Sequence, residues 1–166
     1  MGDPAIRIYS SGMGKTLHVQ RSATIPAAPE RIYSLLDDFR QWERWSPWEE
    51  LDPNMAHTYS GPEHGVGASH AWKGNKKAGE GRMEIVDADP PHRLDLSLAF
   101  IKRFKSENTT RFSLAENGPG ATNVTWAMDS PMPLLMQIVN VVMHMDKKIG
   151  ADFEKGLAKL SSLAAE

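Results

Sequence analysis

The sequence predicts an α+β fold, a curved antiparallel sheet of about seven strands wrapped around a long C-terminal helix. Three observations carry this expectation. An alternating apolar segment opens the patterned part of the chain, six further strand-like segments follow between residues 56 and 129, and one helical stripe runs to the end. The strand segments are apolar on one side only, so they need a single covering layer, which the helices must supply.

Residues 1–14 end in Ser10-Ser11-Gly12-Met13-Gly14, with a second methionine just ahead of the first alternating pattern. They are read as a leader or expression remnant, and residues 15–166 as the domain. From Leu17 to Ile25, Leu17, Val19, Ala23 and Ile25 alternate with His18, Gln20, Ser22 and Thr24, and Arg21 interrupts the apolar side. Pro26-Ala27-Ala28-Pro29 ends that strand, and Pro29 suits the first position of a helix in which Ile32, Leu35, Leu36 and Phe39 recur at helical spacing.

Three of the five tryptophans, Trp42, Trp45 and Trp48, then fall within seven positions, with Pro47 ending any helix there. Two readings stay open: the rings plug one end of a core, or Trp42 and Trp45 form part of a pocket wall. Beyond Pro53 the expected strands are Ala56–Ser60, Gly67–Lys73, Gly79–Ala88, Arg93–Phe100, Ser106–Glu116 and Ala121–Asp129. Gly61-Pro62, Gly74-Asn75, Pro90-Pro91, Lys102-Arg103 and Asn117-Gly118-Pro119-Gly120 connect them, which makes consecutive strands antiparallel.

Alternation puts Leu94, Leu96, Leu98, Phe100, Thr110, Phe112, Leu114, Val124, Trp126 and Met128 on one face, and Asp95, Ser97, Arg111, Ser113 and Asp129 on the other. After Pro133 a stripe of Leu135, Ile138, Val142, Met145, Ile149, Phe153, Leu157 and Leu160 is helical. The helix proper is expected from near Asp146 to the C-terminus. Gly150 and Gly156, each about 1 kcal/mol worse than alanine inside a helix, mark a bend or a close approach to the sheet.

Composition narrows the function classes. Nineteen Lys and Arg against 21 Asp and Glu leave a net charge of −2, no field for nucleic acid or an acidic membrane. The absence of cysteine removes disulfides, thiolate metal sites and a cysteine nucleophile. No apolar run approaches membrane-spanning length and no secretory signal opens the chain, so a cytoplasmic location without membrane insertion is expected.

Three local motifs support a family resemblance. They are Phe39-Arg40-Gln41-Trp42-Glu43-Arg44-Trp45-Ser46-Pro47-Trp48, then Trp72-Lys73-Gly74-Asn75 with Gly79-Glu80-Gly81, and Gly150-Ala151-Asp152-Phe153-Glu154-Lys155-Gly156-Leu157. Together with the element order, they resemble the START-like (SRPBCC) superfamily, in its polyketide cyclase/dehydrase and lipid-transport branch, over roughly Thr16 to Ala164. The resemblance implies a helix-grip fold with an internal cavity. It carries over no catalytic signature residue by residue.

A helix gripped by a curved sheet leaves space at its ends, and such space is apolar with a few polar groups. Alternation turns Tyr59, Trp72, Met83, Ile85, Leu98 and Phe100 toward it, followed by Phe112, Trp126 and Met128, with Met143 from the segment before the helix. His70, Trp42 and Trp45 complete the candidate ligand-binding set. Met132, Met136, Met143 and Met145, close together, suit an adaptable pocket as well as an irregular core.

His57, His64 and His70 lie within fourteen residues but lack a metal-binding spacing, so neither metal nor cofactor is expected. His57 and His70 are instead strand residues on opposite faces, or sit at a pocket mouth where an imidazole acts as acid or base. The expected function is binding, transport or sensing of a small hydrophobic molecule. A cyclase- or dehydratase-type enzyme is the alternative and a protein-interaction module the third reading; a homodimer stays open.

Overall fold

The computed structural model describes residues 8–10, 15–101, 106–132 and 144–166. Its strands are β1 (Ile8–Ser10), β2 (Lys15–Ile25), β3 (Ala56–Ser60), β4 (Ser69–Lys73), β5 (Glu80–Asp89), β6 (Arg93–Phe100), β7 (Ser106–Glu116) and β8 (Thr122–Met132). Helices α1 (Pro29–Leu36) and α2 (Trp42–Trp45) follow β2, and α3 (Met145–Ala164) closes the chain.

The strands form one antiparallel sheet in the order β1-β2-β8-β7-β6-β5-β4-β3. β3 to β8 are a meander in which each strand pairs antiparallel with the next along the chain. β2 pairs with β8 and not with β3, because the helical segment carries the chain from one side of the sheet to the other. A bulge between Ile85 and Asp87 adds local twist to β5, which helps the sheet curl around α3.

The strand expected from Leu17 extends back to Lys15, and an additional short strand lies inside the segment read as a leader, where Ile8, Tyr9 and Ser10 pair with Leu17, Thr16 and Lys15. Three residues at an edge carry little of the total pairing. Deleting residues 1–14 is expected to cost about 1 kcal/mol, or about 2–4 °C in Tm by thermal melting. A fall beyond 10 °C would give this segment a structural role.

Inward-facing residues of the sheet and the stripe on α3 share one core. Leu96, Phe112, Trp126, Phe153 and Leu157 are all buried, with Leu160 and Leu163 extending the contact along α3. The helix runs through both internal glycines. An added Cβ at Gly156 would lie 2.8 Å from the Trp126 ring and 3.1 Å from Pro47 Cδ, and one at Gly150 would lie 2.1 Å from the Arg21 guanidinium. The glycines therefore serve close approach to the sheet. Arg21, on the apolar side of β2, donates from Nε to Glu154 Oε1 of α3 at 2.9 Å and so keeps its charge paired.

The outer face also has an ordered feature. Asp95, expected on the polar side, is only 6% exposed because Arg111 grips it through Nε at 2.6 Å and Nη2 at 2.8 Å while Arg93 approaches from the same strand. The Arg111 bond is the first cause holding its carboxyl below the usual range. No helix among the described residues is long and apolar enough to cross a membrane.

Candidate functional site

The inner face divides into two regions. At the α3 end, Trp42, Trp45, Phe112, Trp126 and Phe153 are packed ring against ring and are buried. The tryptophans of the Phe39–Trp48 motif owe this position to their indole N–H groups. Trp42 Nε1 donates to Leu36 O at 2.9 Å and Trp45 Nε1 donates to Leu35 O at 3.2 Å. Those carbonyls lie in the last turn of α1, where the helix itself has no donors left, so the two indoles cap it. Trp42 and Trp45 thus act as a core plug in this conformation, and Ile85 and Phe112 belong to the same interior.

The other region lies under β3 to β7. Register aligns His57, Trp72, Gly81, Phe100 and Ser106 in one row across the sheet, and Tyr59, His70, Met83, Leu98 and Asn108 in the next. Tyr59, Trp72 and Met83 are only partly buried and Phe100 is 38% exposed, so apolar surface is accessible here. Leu98 and Met128 are buried beside it, and Met143 lies outside the described residues.

Gly81 makes the first row possible. A Cβ there would sit 2.4 Å from the Trp72 ring and 2.7 Å from Ala99 O, so only glycine lets the indole lie across the strand. Trp72 then meets Phe100 edge-on at 5.8 Å and donates from Nε1 to Ala78 O.

His57 and His70 lie on one face, not on opposite faces, and they are bonded: His57 Nδ1 and His70 Nε2 are 2.9 Å apart. Alternation within single strands did not relate them, because they occupy neighbouring rows on adjacent strands. The stack continues to Tyr59, whose ring centre is 4.9 Å from that of His70. The helical segment adds charge from above. Glu49 Oε2 lies 3.3 Å from His57 Nε2, Glu43 accepts from the Tyr59 hydroxyl, and the Arg40 guanidinium lies 4.8 Å from the Tyr59 ring centre.

Burial first, and then the repulsion between two imidazolium rings that a second charge beside His57 would bring, push His70 down to about 4; Glu43 opposes both. Glu49 is raised, first by desolvation. Tyr59 is raised by burial and by its bond to Glu43. His64 is elsewhere, 3.7 Å from Asp37. Among the described residues, no three His, Asp or Glu side chains converge as metal ligands.

Two buried polar atoms in the second row have no hydrogen-bond partner, His70 Nδ1 and Asn108 Oδ1. Such atoms are costly unless something fills them. Beside the ring stack is a void of about 30 Å³ bounded by Phe39, Arg40, Tyr59, Ala68 and Ser69, room for about one water.

A family model described as polyketide cyclase / dehydrase and lipid transport matches residues 16–165. The chain belongs to this family. The helix-grip fold of the polyketide cyclase / dehydrase and lipid transport family is also that of many solved structures. A protein from Chromobacterium violaceum is 14% identical with a TM-score of 0.64, covering 90% of this chain and 97% of its own. One from Thermobifida fusca is 18% identical with a TM-score of 0.64, covering 89% and 92%. One from Rhodobacter sphaeroides is 21% identical with a TM-score of 0.59, covering 97% and 98%. At these identities the likeness is one of fold. No curated protein matches the chain.

Within this polyketide cyclase / dehydrase and lipid transport domain, sequence reasoning missed Asn108, Glu43 and Glu49. Asn108 had a signal, because it shares the inward parity of Thr110, Phe112 and Leu114 and is polar. Glu43 and Glu49 had none. Their positions depend on how the helical segment packs over β3.

Proposed function

We propose that the chain binds a small hydrophobic molecule on the inner face of the sheet at the Trp72 end, in the manner of a carrier or sensor. The observation that supports this reading best is the partly exposed surface of Tyr59, Trp72, Met83 and Phe100, which is apolar, lies inside the curve of the sheet and borders two buried polar atoms without partners. The family, with its lipid-transport and polyketide members, points the same way. Trp42, Trp45, Phe112 and Trp126 support this surface from behind as packed core.

A solvatochromic apolar dye is expected to bind with micromolar Kd, and Trp72 emission should change as the dye excludes water. Met83→Glu should weaken binding at least tenfold, because the carboxylate would be desolvated against the dye. Met83 is a better test position than the fully buried Phe112, where a charge would threaten folding itself. Unchanged dye affinity in a folded Met83→Glu variant, checked by circular dichroism, would move the ligand elsewhere.

A further inference from the structure

We propose that the bonded pair His57–His70, with the Glu49 carboxylate close to the far side of His57, presents an unshared nitrogen lone pair to the ligand, and that it selects apolar molecules bearing a hydroxyl group, an alcohol or a phenol. This rests on the binding site proposed above and names the class of molecule it takes.

The direction of the bond follows from which atoms are able to donate. Glu49 Oε2 lies 3.3 Å from His57 Nε2, and its negative charge repels a lone pair at that position, which favours the neutral His57 tautomer with its proton on Nε2. His57 Nδ1 is then an acceptor, and the 2.9 Å contact is a bond donated by His70 Nε2. His70 has used its one proton, which leaves Nδ1 as a bare acceptor. That atom is buried and without a partner, on a residue only 3% exposed.

The surroundings keep the arrangement in place. His57 and Tyr59 stack on the His70 ring, Phe39 lies 5.9 Å from it and Trp72 6.1 Å. The other charged groups at the stack are engaged, Glu43 by the Tyr59 hydroxyl and Arg40 by the Tyr59 ring. The depressed pKa of His70 keeps the ring neutral, as an acceptor must be. The neighbour of His70 on β5 is Met83, partly exposed and unbranched, and its side chain is suited to swing aside for an entering ring.

The test compares 2-naphthol with 2-methoxynaphthalene, which has nearly the same apolar body and no hydroxyl proton, by titration calorimetry at pH 8, where an ordinary imidazole is neutral. The wild-type chain is expected to hold 2-naphthol about tenfold more tightly, the worth of filling one orphaned buried acceptor. His70→Phe keeps a ring of similar shape and should bring 2-naphthol down to the affinity of 2-methoxynaphthalene. Should that variant not fold, Glu49→Gln removes the charge that orients the pair and should narrow the tenfold gap. Equal binding of the two compounds by the wild type would overturn the hydroxyl selection and leave the binding site standing. Tighter binding of the methyl ether would overturn the direction of the bond. Binding of neither would overturn both the selection and the site.

Discussion

Replacing Phe153 by alanine is expected to destabilise the domain by about 3–5 kcal/mol in urea unfolding. Phe153 is fully buried and lies face to face with Trp126, ring centres 4.1 Å apart and planes within 6°. Trp126 is in turn 4.9 Å from Phe112 and 5.7 Å from Trp45, so the ring that would have to move into the vacated space is held on its other sides. A site that cannot collapse keeps its cavity, which puts the cost in the upper part of the range for large-to-small changes. Gly156, one turn along, holds α3 close to the same indole and limits how far the helix can shift. Lys147→Ala, on the exposed side of α3, should change stability by less than about 0.5 kcal/mol. A loss below 1 kcal/mol for Phe153→Ala would mean that the sheet does not grip this helix.

Acidification from pH 7.5 to 4.5 is expected to destabilise the fold through His70. Its pKa falls from an unfolded value near 6.5 to about 4, because burial and His57 disfavour the charged ring. Between these values the unfolded chain binds a proton that the folded chain does not, so stability rises with pH across the window. The contribution is fully present above about 6.5 and is lost as pH falls through about 4. At full strength such a shift corresponds to about 3 kcal/mol, less where water screens it.

The groups facing the ring are His57 and Tyr59 on the sheet, with Glu43, Glu49 and Arg40 on the helical segment. Glu49 is raised by burial, so its own contribution runs the opposite way and favours the fold on acidification. Asp95, lowered mainly by Arg111, adds its loss below the usual carboxylate range. His70→Phe isolates the histidine: the stability gap between wild type and variant should shift in favour of the variant by about 1–3 kcal/mol between pH 7.5 and 4.5. A gap independent of pH would show that His70 titrates freely in the folded protein.

Local pattern and tertiary placement separate cleanly in this chain. The limits of Ala56–Ser60, Arg93–Phe100 and Ser106–Glu116 agree with the structure, because the alternation there is bounded by turn residues on the chain itself. The start of α1 at Pro29 and of α3 at Met145 follows from helical spacing. β8 runs on to Met132, past the expected Asp129, through Ser130 and Pro131, because β2 continues to supply a pairing partner there that local pattern does not show.

The sequence by itself determined the α+β class, the order of the elements and which side of each strand is apolar, since these depend on periods of two and 3.6 residues. Only the tertiary structure decided which inward residues are packed and which are accessible. Phe112 and Met83 have the same inward parity, yet one is enclosed by tryptophans and the other is partly open. Tertiary structure also decided that Trp42 and Trp45 cap α1, that His57 and His70 are bonded, and that Glu49 comes to lie 3.3 Å from His57. These contacts form between segments distant along the chain, and the curvature of the sheet and the seating of the helical segment set them, which no local period encodes.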